Sequence, residues 1–389
     1  MLACSLGGEG HLVPVVRVAR ALQAAGHEVK LLVPPALADS AQRAGLPYWV
    51  GDEPPRAFVG DLWQRVRAGP ADAVAGLFDR ELFAGRCTEV MLGPAREARD
   101  WWQPQFVVRD PCEYASAIVA HEAGIPQAQV GISLSAIESG VLSMVAPIIE
   151  RSASGVADAI ASSPYLSSFP PSLDPSPWSD TRRFRAGAGR GEPTGARPWS
   201  HHLDAELRRG REPPLVYVTF GSVLGHLPEA TAVFRCVLEA VAGLPVRVLL
   251  TVGRATDPKS LGSIPENTRV EPWVAQDDVL ARAALVVCHG GSGTTFGALA
   301  AGVPVVVCPL FADQRRNAQI VKQSGAGAAL DGHIPVAGGL GSLGRDDVAP
   351  LRARIEEVLD APSYRRAARR IADEIATLPT LDDLIRELL

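Results

Sequence analysis

The stretch Val286–Val307, "VVCHGGSGTTFGALAAGVPVVV", limits the fold more than any other part of the chain. An apolar run ends at His289, a Gly/Ser/Thr loop follows, then a helical pattern, then a second run of valines. Strand, loop, helix and strand in so short a span are the elements of a βαβ unit, whose two strands are parallel. The helix start after the glycines leaves backbone N–H groups unpaired, and the helix dipole adds to their preference for negative charge. The loop therefore reads either as an anion cradle or as a tight turn without a ligand.

The same alternation appears twice along the chain. It begins with the apolar run Leu2–Leu6, the turn Gly7–Gly10, a helical pattern over Val13–Ala25 and a strand at Val29–Val33. A further strand is expected at Phe106–Val108. Between about 162 and 213 the texture changes to Pro, Gly, Ser and Arg without periodicity, which reads as a long connection between domains. The rhythm then restarts, with strands expected at Leu215–Phe220, Val246–Thr251, Arg269–Val270, Ala284–Cys288 and Val305–Cys308. Helices are expected at Glu229–Ala242 and Ala318–Gln323, and in a tail from Asp346. At 389 residues two domains are expected, an N-terminal one over 1–204 and a C-terminal one over 205–389.

Composition narrows the function classes. A hydrophobic fraction of 47% with 21% charged residues is that of a globular chain, and a net charge of −5 offers nucleic acid no basic face. No apolar run approaches the ~18 residues of a membrane span, and no basic leader precedes an apolar stretch, so a cytoplasmic protein is expected. The six cysteines lack CxxC spacing, so reduced thiols are expected and a metal cluster is not.

The glycines do not match the common nucleotide motifs. Gly291-x-Gly293-x-x-x-Gly297 is neither a dinucleotide fingerprint nor, lacking a Lys before the Thr, a Walker A loop. Three segments should nevertheless meet at the carboxyl ends of a parallel sheet. They are Trp273 in "RVEPWVAQDDVL", the loop after His289, and Asp313 with Gln314 in "PLFADQRRNAQ". An aromatic plate, a phosphate cradle and a carboxylate–amide pair suit the base, diphosphate and sugar of a nucleotide sugar.

The segments "EPWVAQ", "CHGGSGTTFGALAAGVPVVVCPLFADQRRNAQ" and "SLGGEGHLVPVVRVARALQAAGHEV" resemble nucleotide-sugar-dependent glycosyltransferases of GT-B fold, in the bacterial natural-product branch. The resemblance covers nearly the whole chain. It implies an α/β protein of two Rossmann-like doubly wound parallel-sheet domains facing a cleft, with a C-terminal helix crossing back to the first domain. It further implies that Trp273 stacks on the base and the Val274 backbone bonds its edge. His289 with Gly291, Ser292, Gly293 and Thr294 would hold the diphosphate, Ser222 would assist, and Asp313 and Gln314 would read the sugar.

For His11 the resemblance favours a general base over a turn cap. Its place near a helix N-terminus disfavours the cation and keeps the imidazole able to accept a proton. Asp110 would orient it, with capping of the next helix as an alternative and Glu113 as a substitute.

The expected reaction is inverting displacement without a metal or other cofactor, since no Asp-x-Asp occurs. UDP-sugar enzymes of this kind often carry Glu eight residues after the His, where this chain has Gly297, so a dTDP-sugar is favoured over a UDP-sugar. The acceptor is expected to be a hydrophobic small molecule such as a polyketide, bound by the Arg56–Gly93 and Gly131–Ile149 segments. Those segments read equally as amphipathic helices packed on the core. The resemblance leaves room for a homodimer. A nucleotide-sugar epimerase and a non-catalytic sugar-nucleotide binder remain as alternatives.

Overall fold

The computed structural model describes residues 1–69, 74, 76–186, 213–330 and 340–388. The chain divides into two compact units. Among the described residues, unit 1 holds the chain to 186, Leu340 and the C-terminal stretch from 375; unit 2 holds 213–330 and 341–374. The boundary expected at 204/205 lies outside the described residues.

Unit 1 is built on seven parallel strands in the order β3-β2-β1-β4-β5-β6-β7. They are β1 Leu2–Cys4, β2 Lys30–Val33, β3 Tyr48–Val50, β4 Val107–Arg109, β5 Gln127–Val130, β6 Tyr165–Ser167 and β7 Thr181–Arg183. The central strands are buried, as a sheet covered on both faces requires. One face packs on the Glu9–Ala24 helix through Leu12, Val15 and Val18. The other packs on Met91 and Ala95 of the Thr88–Trp102 helix and on Val119 of the Ala115–Ala123 helix. The last helix, Leu381–Leu388, places Leu384 and Ile385 in the same cluster as Leu12 and Val15.

Unit 2 has six parallel strands in the order β10-β9-β8-β11-β12-β13. They are β8 Leu215–Thr219, β9 Arg247–Thr251, β10 Thr268–Glu271, β11 Leu285–Cys288, β12 Val305–Val307 and β13 Gly327–Ala329. Each sheet reverses its winding once, between β1 and β4 in unit 1 and between β8 and β11 in unit 2. In such sheets ligands gather at the carboxyl ends of the strands flanking that reversal.

Two differences from the sequence expectations have physical causes. The connection expected from residue 162 contains β6 and β7, so the start of that reading is corrected. The Pro-rich path between these strands is ordered by burying Phe169, Leu173 and Trp178, and the Tyr165 and Trp178 rings stack 5.3 Å apart. Strands of three residues leave no periodicity to read.

The first helix starts at Glu9, four residues before the expected Val13. Its N-cap is Gly8, whose carbonyl takes the His11 N–H at 3.0 Å, so no capping side chain marks the start. The segments expected to bind acceptor are helical: Arg56–Ala68, the π-helix Phe78–Cys87, the start of Thr88–Trp102, and Ser135–Ile149.

Candidate active site

In unit 1 the two loops at the β1/β4 reversal carry His11 and Asp110. His11 is the third residue of its helix and is partly exposed, whereas Asp110 is fully buried. His11 Nδ1 lies 3.3 Å from Asp110 Oδ1. Gly7 makes this approach feasible: its φ of +69° suits glycine, and a Cβ there would sit 3.0 Å from the His11 ring. Phe83, on the π-helix, packs its ring 5.5 Å from the imidazole.

The Asp110 carboxylate is held from three sides. Oδ2 accepts the Leu6 N–H at 2.8 Å, and Oδ1 accepts the Cys112 N–H at 2.9 Å as well as facing His11. Burial alone would push its carboxyl up, but His11 and the two amides outweigh it and hold the group below the usual range. Asp110 is thus an anion at neutral pH. Its amide bond is to the residue two positions on, a local turn, and the first-turn N–H of the Ala115–Ala123 helix at Ser116 goes to Glu113 instead. The capping alternative therefore fails.

Glu113 does not substitute. Its carboxylate accepts the Ser116 N–H at 3.1 Å and the Ser116 hydroxyl, and burial raises it to about 6. Sequence reasoning missed Arg109, fully buried on β4, whose Nη1 donates to the Asp110 carbonyl at 3.1 Å and whose Nε donates to Gln127 at 2.8 Å. Arg109 lies one residue past the expected strand, and it pins the loop that carries Asp110.

In unit 2 the β8/β11 reversal carries Ser222 and His289 on adjacent strand ends. Ser222 is exposed on the turn after β8. Its neighbour Gly221 abuts the His289 ring, where a Cβ would come within 2.9 Å. Burial drives the His289 imidazole down to about 4, against the opposing pull of Asp313 and the Thr219 carbonyl. The ring is therefore neutral at pH 7, and its Nδ1 has no partner among the described residues.

Gly290, with φ of +93°, turns the chain so that Gly291 caps the Ser292–Ala300 helix. The first intrahelical bond is Thr295 N–H to Gly291 at 3.0 Å, so the amides of Ser292, Gly293 and Thr294 precede the helical ladder.

Asp313 and Gln314 follow β12 and are tied to this loop. Asp313 Oδ2 accepts the Ser292 hydroxyl at 2.9 Å and the Asn317 amide at 3.2 Å. Asn317 Nδ2 also donates to the Gly290 carbonyl at 2.8 Å. Asn317 is a hub that sequence reasoning missed, although its spacing of four from Asp313 on one helix face was a usable signal. Gln314 Oε1 accepts the Leu310 and Phe311 amides at 2.8 and 3.1 Å, so only its NH2 remains for a ligand.

Trp273 is 45% exposed after β10, with the Arg254 guanidinium 5.3 Å from its ring, while the Val274 side chain is buried. Position 297 is filled from outside: a Cβ there would stand 2.8 Å from Gln276 Nε2.

A groove of about 630 Å³ in unit 1 is lined by Phe58, Ala84, Leu92 and Ile148, drawn from both segments expected to bind acceptor. His11 is not among its lining residues. No helix among the described residues is long and apolar enough to cross a membrane.

Comparison with known proteins agrees with this architecture. Residues 235–389 match a family described as erythromycin biosynthesis protein CIII-like, C-terminal domain. The elloramycin glycosyltransferase ElmGT of Streptomyces olivaceus is 31% identical over 405 residues, covering 100% of this chain and 96% of the relative. The L-demethylnoviosyl transferase of Streptomyces niveus is 30% identical over 389 residues, covering 98% and 95%. The solved spinosyn rhamnosyltransferase SpnG, complexed with thymidine diphosphate, shares the fold at a TM-score of 0.78 and 24% identity, covering 100% of this chain and 99% of that one. Two doubly wound parallel sheets and relatives matched end to end mean that the chain belongs to the family 1 natural-product glycosyltransferases of GT-B fold.

Proposed function

We propose that this chain moves a deoxysugar from a thymidine diphosphate donor to an apolar natural-product aglycone, with inversion and without a metal ion. The observation that carries the reading is the His11–Asp110 pair, a half-buried imidazole 3.3 Å from a fully buried anionic carboxylate. Asp110 holds Nδ1–H and leaves Nε2 free to take the proton of the acceptor nucleophile. The nucleophile's lone pair attacks the anomeric carbon as the bond from that carbon to the diphosphate oxygen breaks. One displacement inverts the centre.

The electron pair leaves on the nucleoside diphosphate. Its charge is met by the Ser292, Gly293 and Thr294 amides at the helix N-terminus. His289 is neutral at pH 7, so it brings no charge of its own to the leaving group. These fixed dipoles take the part a divalent ion plays elsewhere. Trp273 would stack on the base, with Ser222, Asp313 and the Gln314 amide on the phosphate and sugar.

The donor preference rests on Gly297, which has no carboxylate to grip both ribose hydroxyls. The SpnG structure holding thymidine diphosphate is consistent with it. Calorimetry with thymidine and uridine diphosphates, each with Mg²⁺ and with EDTA, tests the reading. Tighter thymidine diphosphate binding, equal in both buffers, is expected. A uridine preference overturns the Gly297 argument, Mg²⁺ dependence overturns the metal-free one, and binding of neither nucleotide overturns the cradle.

A further inference from the structure

His11, Asp110 and Cys112 form a second kind of constellation. One ligand atom from each lies within 4.8 Å of the others. All six cysteines are free thiols; five are buried and Cys112 is partly buried. Imidazole, carboxylate and thiol together form a donor set suited to Zn²⁺ rather than to Mg²⁺ or Ca²⁺, which take oxygen ligands. The geometry is close to what the ion needs. Two N/O ligands about 2.0–2.2 Å from a tetrahedral zinc stand roughly 3.4 Å apart, and His11 Nδ1 and Asp110 Oδ1 are 3.3 Å apart.

The charges suit it as well. The Asp110 anion and a Cys112 thiolate together would balance the charge of a divalent cation. Asp110 is preset by the Leu6 and Cys112 amides, so one ligand is already fixed.

We propose that His11 Nδ1, Asp110 and Cys112 form an inhibitory Zn²⁺ site superimposed on the proton-accepting pair. Binding replaces the hydrogen of the Nδ1···Oδ1 bond with the ion. The Cys112 thiol releases its proton to solvent, water fills the fourth position, and the ring proton moves to Nε2. Nε2 then carries a hydrogen where it must accept one. Inhibition, though not metal binding, rests on His11 being the base.

The spacing of the cysteines gave no sign of this, because His11 and Asp110 are 99 residues apart and meet only through the β1/β4 pairing.

The full chain is titrated with Zn²⁺ by calorimetry and with Co²⁺ as a spectroscopic probe, alongside turnover. A one-to-one site, a thiolate-to-cobalt charge-transfer band and loss of turnover restored by EDTA are expected. Cys112→Ser should lose the band, bind Zn²⁺ at least about tenfold more weakly and keep its own metal-free turnover when Zn²⁺ is added. His11→Gln should weaken the metal similarly, and melting curves of both variants report the fold. No saturable Zn²⁺ binding, or a band that survives in C112S, overturns the site. Zn²⁺ held through Cys112 without loss of turnover leaves the site standing and overturns His11 as the base.

Discussion

Asp110→Asn removes one charge at almost constant volume, and its cost can be worked from the bonds present. The carboxylate accepts from the Leu6 N–H at 2.8 Å, the Cys112 N–H at 2.9 Å and faces His11 Nδ1 at 3.3 Å. An Asn amide has one acceptor oxygen. Whichever way it turns, its NH2 meets a backbone donor or the Nδ1–H.

One buried amide or the imidazole N–H is left unpaired, at a cost of about 1–3 kcal/mol in stability. Where the NH2 turns to the ring, Nδ1 must accept and the hydrogen moves to Nε2, which then cannot act as the base. Loss of a positioned base and its orienter costs roughly 10²–10⁴ in turnover. Thymidine diphosphate affinity should not change, because every donor-binding residue named here lies in unit 2.

The assay is product formation under saturating donor, with calorimetry of the nucleotide and a thermal melt on the same preparation. A folded D110N protein retaining turnover within threefold of the parent refutes the orienting role. A parallel loss of nucleotide affinity would show that the damage is not confined to unit 1.

Gly297→Glu tests the donor argument in the gaining direction. The new carboxylate displaces the flexible Gln276 amide, the neighbour 2.8 Å from a Cβ at that position, and uridine diphosphate should gain affinity relative to thymidine diphosphate. An unchanged ratio in competition calorimetry counts against position 297 as a ribose reader.

Glu138 gives a pH signature. It is buried, its Oε1 accepts the Ile132 and Ser133 amides at 2.8 and 2.6 Å, its Oε2 accepts the Tyr165 hydroxyl at 2.6 Å, and burial raises it to about 8. The unfolded chain gives up this proton near its ordinary value while the folded protein keeps it, so stability falls as pH rises between those two points, by at most about 1.4 kcal/mol per unit. Glu138→Gln keeps an oxygen for the two amides, turns its NH2 to donate to the Tyr165 oxygen, and should flatten that slope in denaturant titrations at pH 5 and 8; an unaltered slope assigns it to other groups.

The sequence by itself determined the class of fold and marked the glycine-rich loop. Apolar runs alternating with helical patterns can form only a covered parallel sheet. A Gly-rich turn before a helix exposes amides whatever surrounds it, and "CHGGSGTTFGALAAGVPVVV" therefore announced its loop without any neighbour in view. These are local properties, fixed by sterics and hydrogen bonding within a few residues.

Tertiary structure alone decided which side chains come together. Asp110 rather than Glu113 faces His11 because β4 pairs with β1 in a register that sets Arg109 beside Cys4, and the Glu113 carboxyl is taken by Ser116. Asn317 became a hub, Gln314 spent its oxygen on the chain, and Cys112 joined His11, for the same reason. Hydrogen bonds depend on a few tenths of an ångström between groups far apart in the chain, and only the packed sheet fixes those distances.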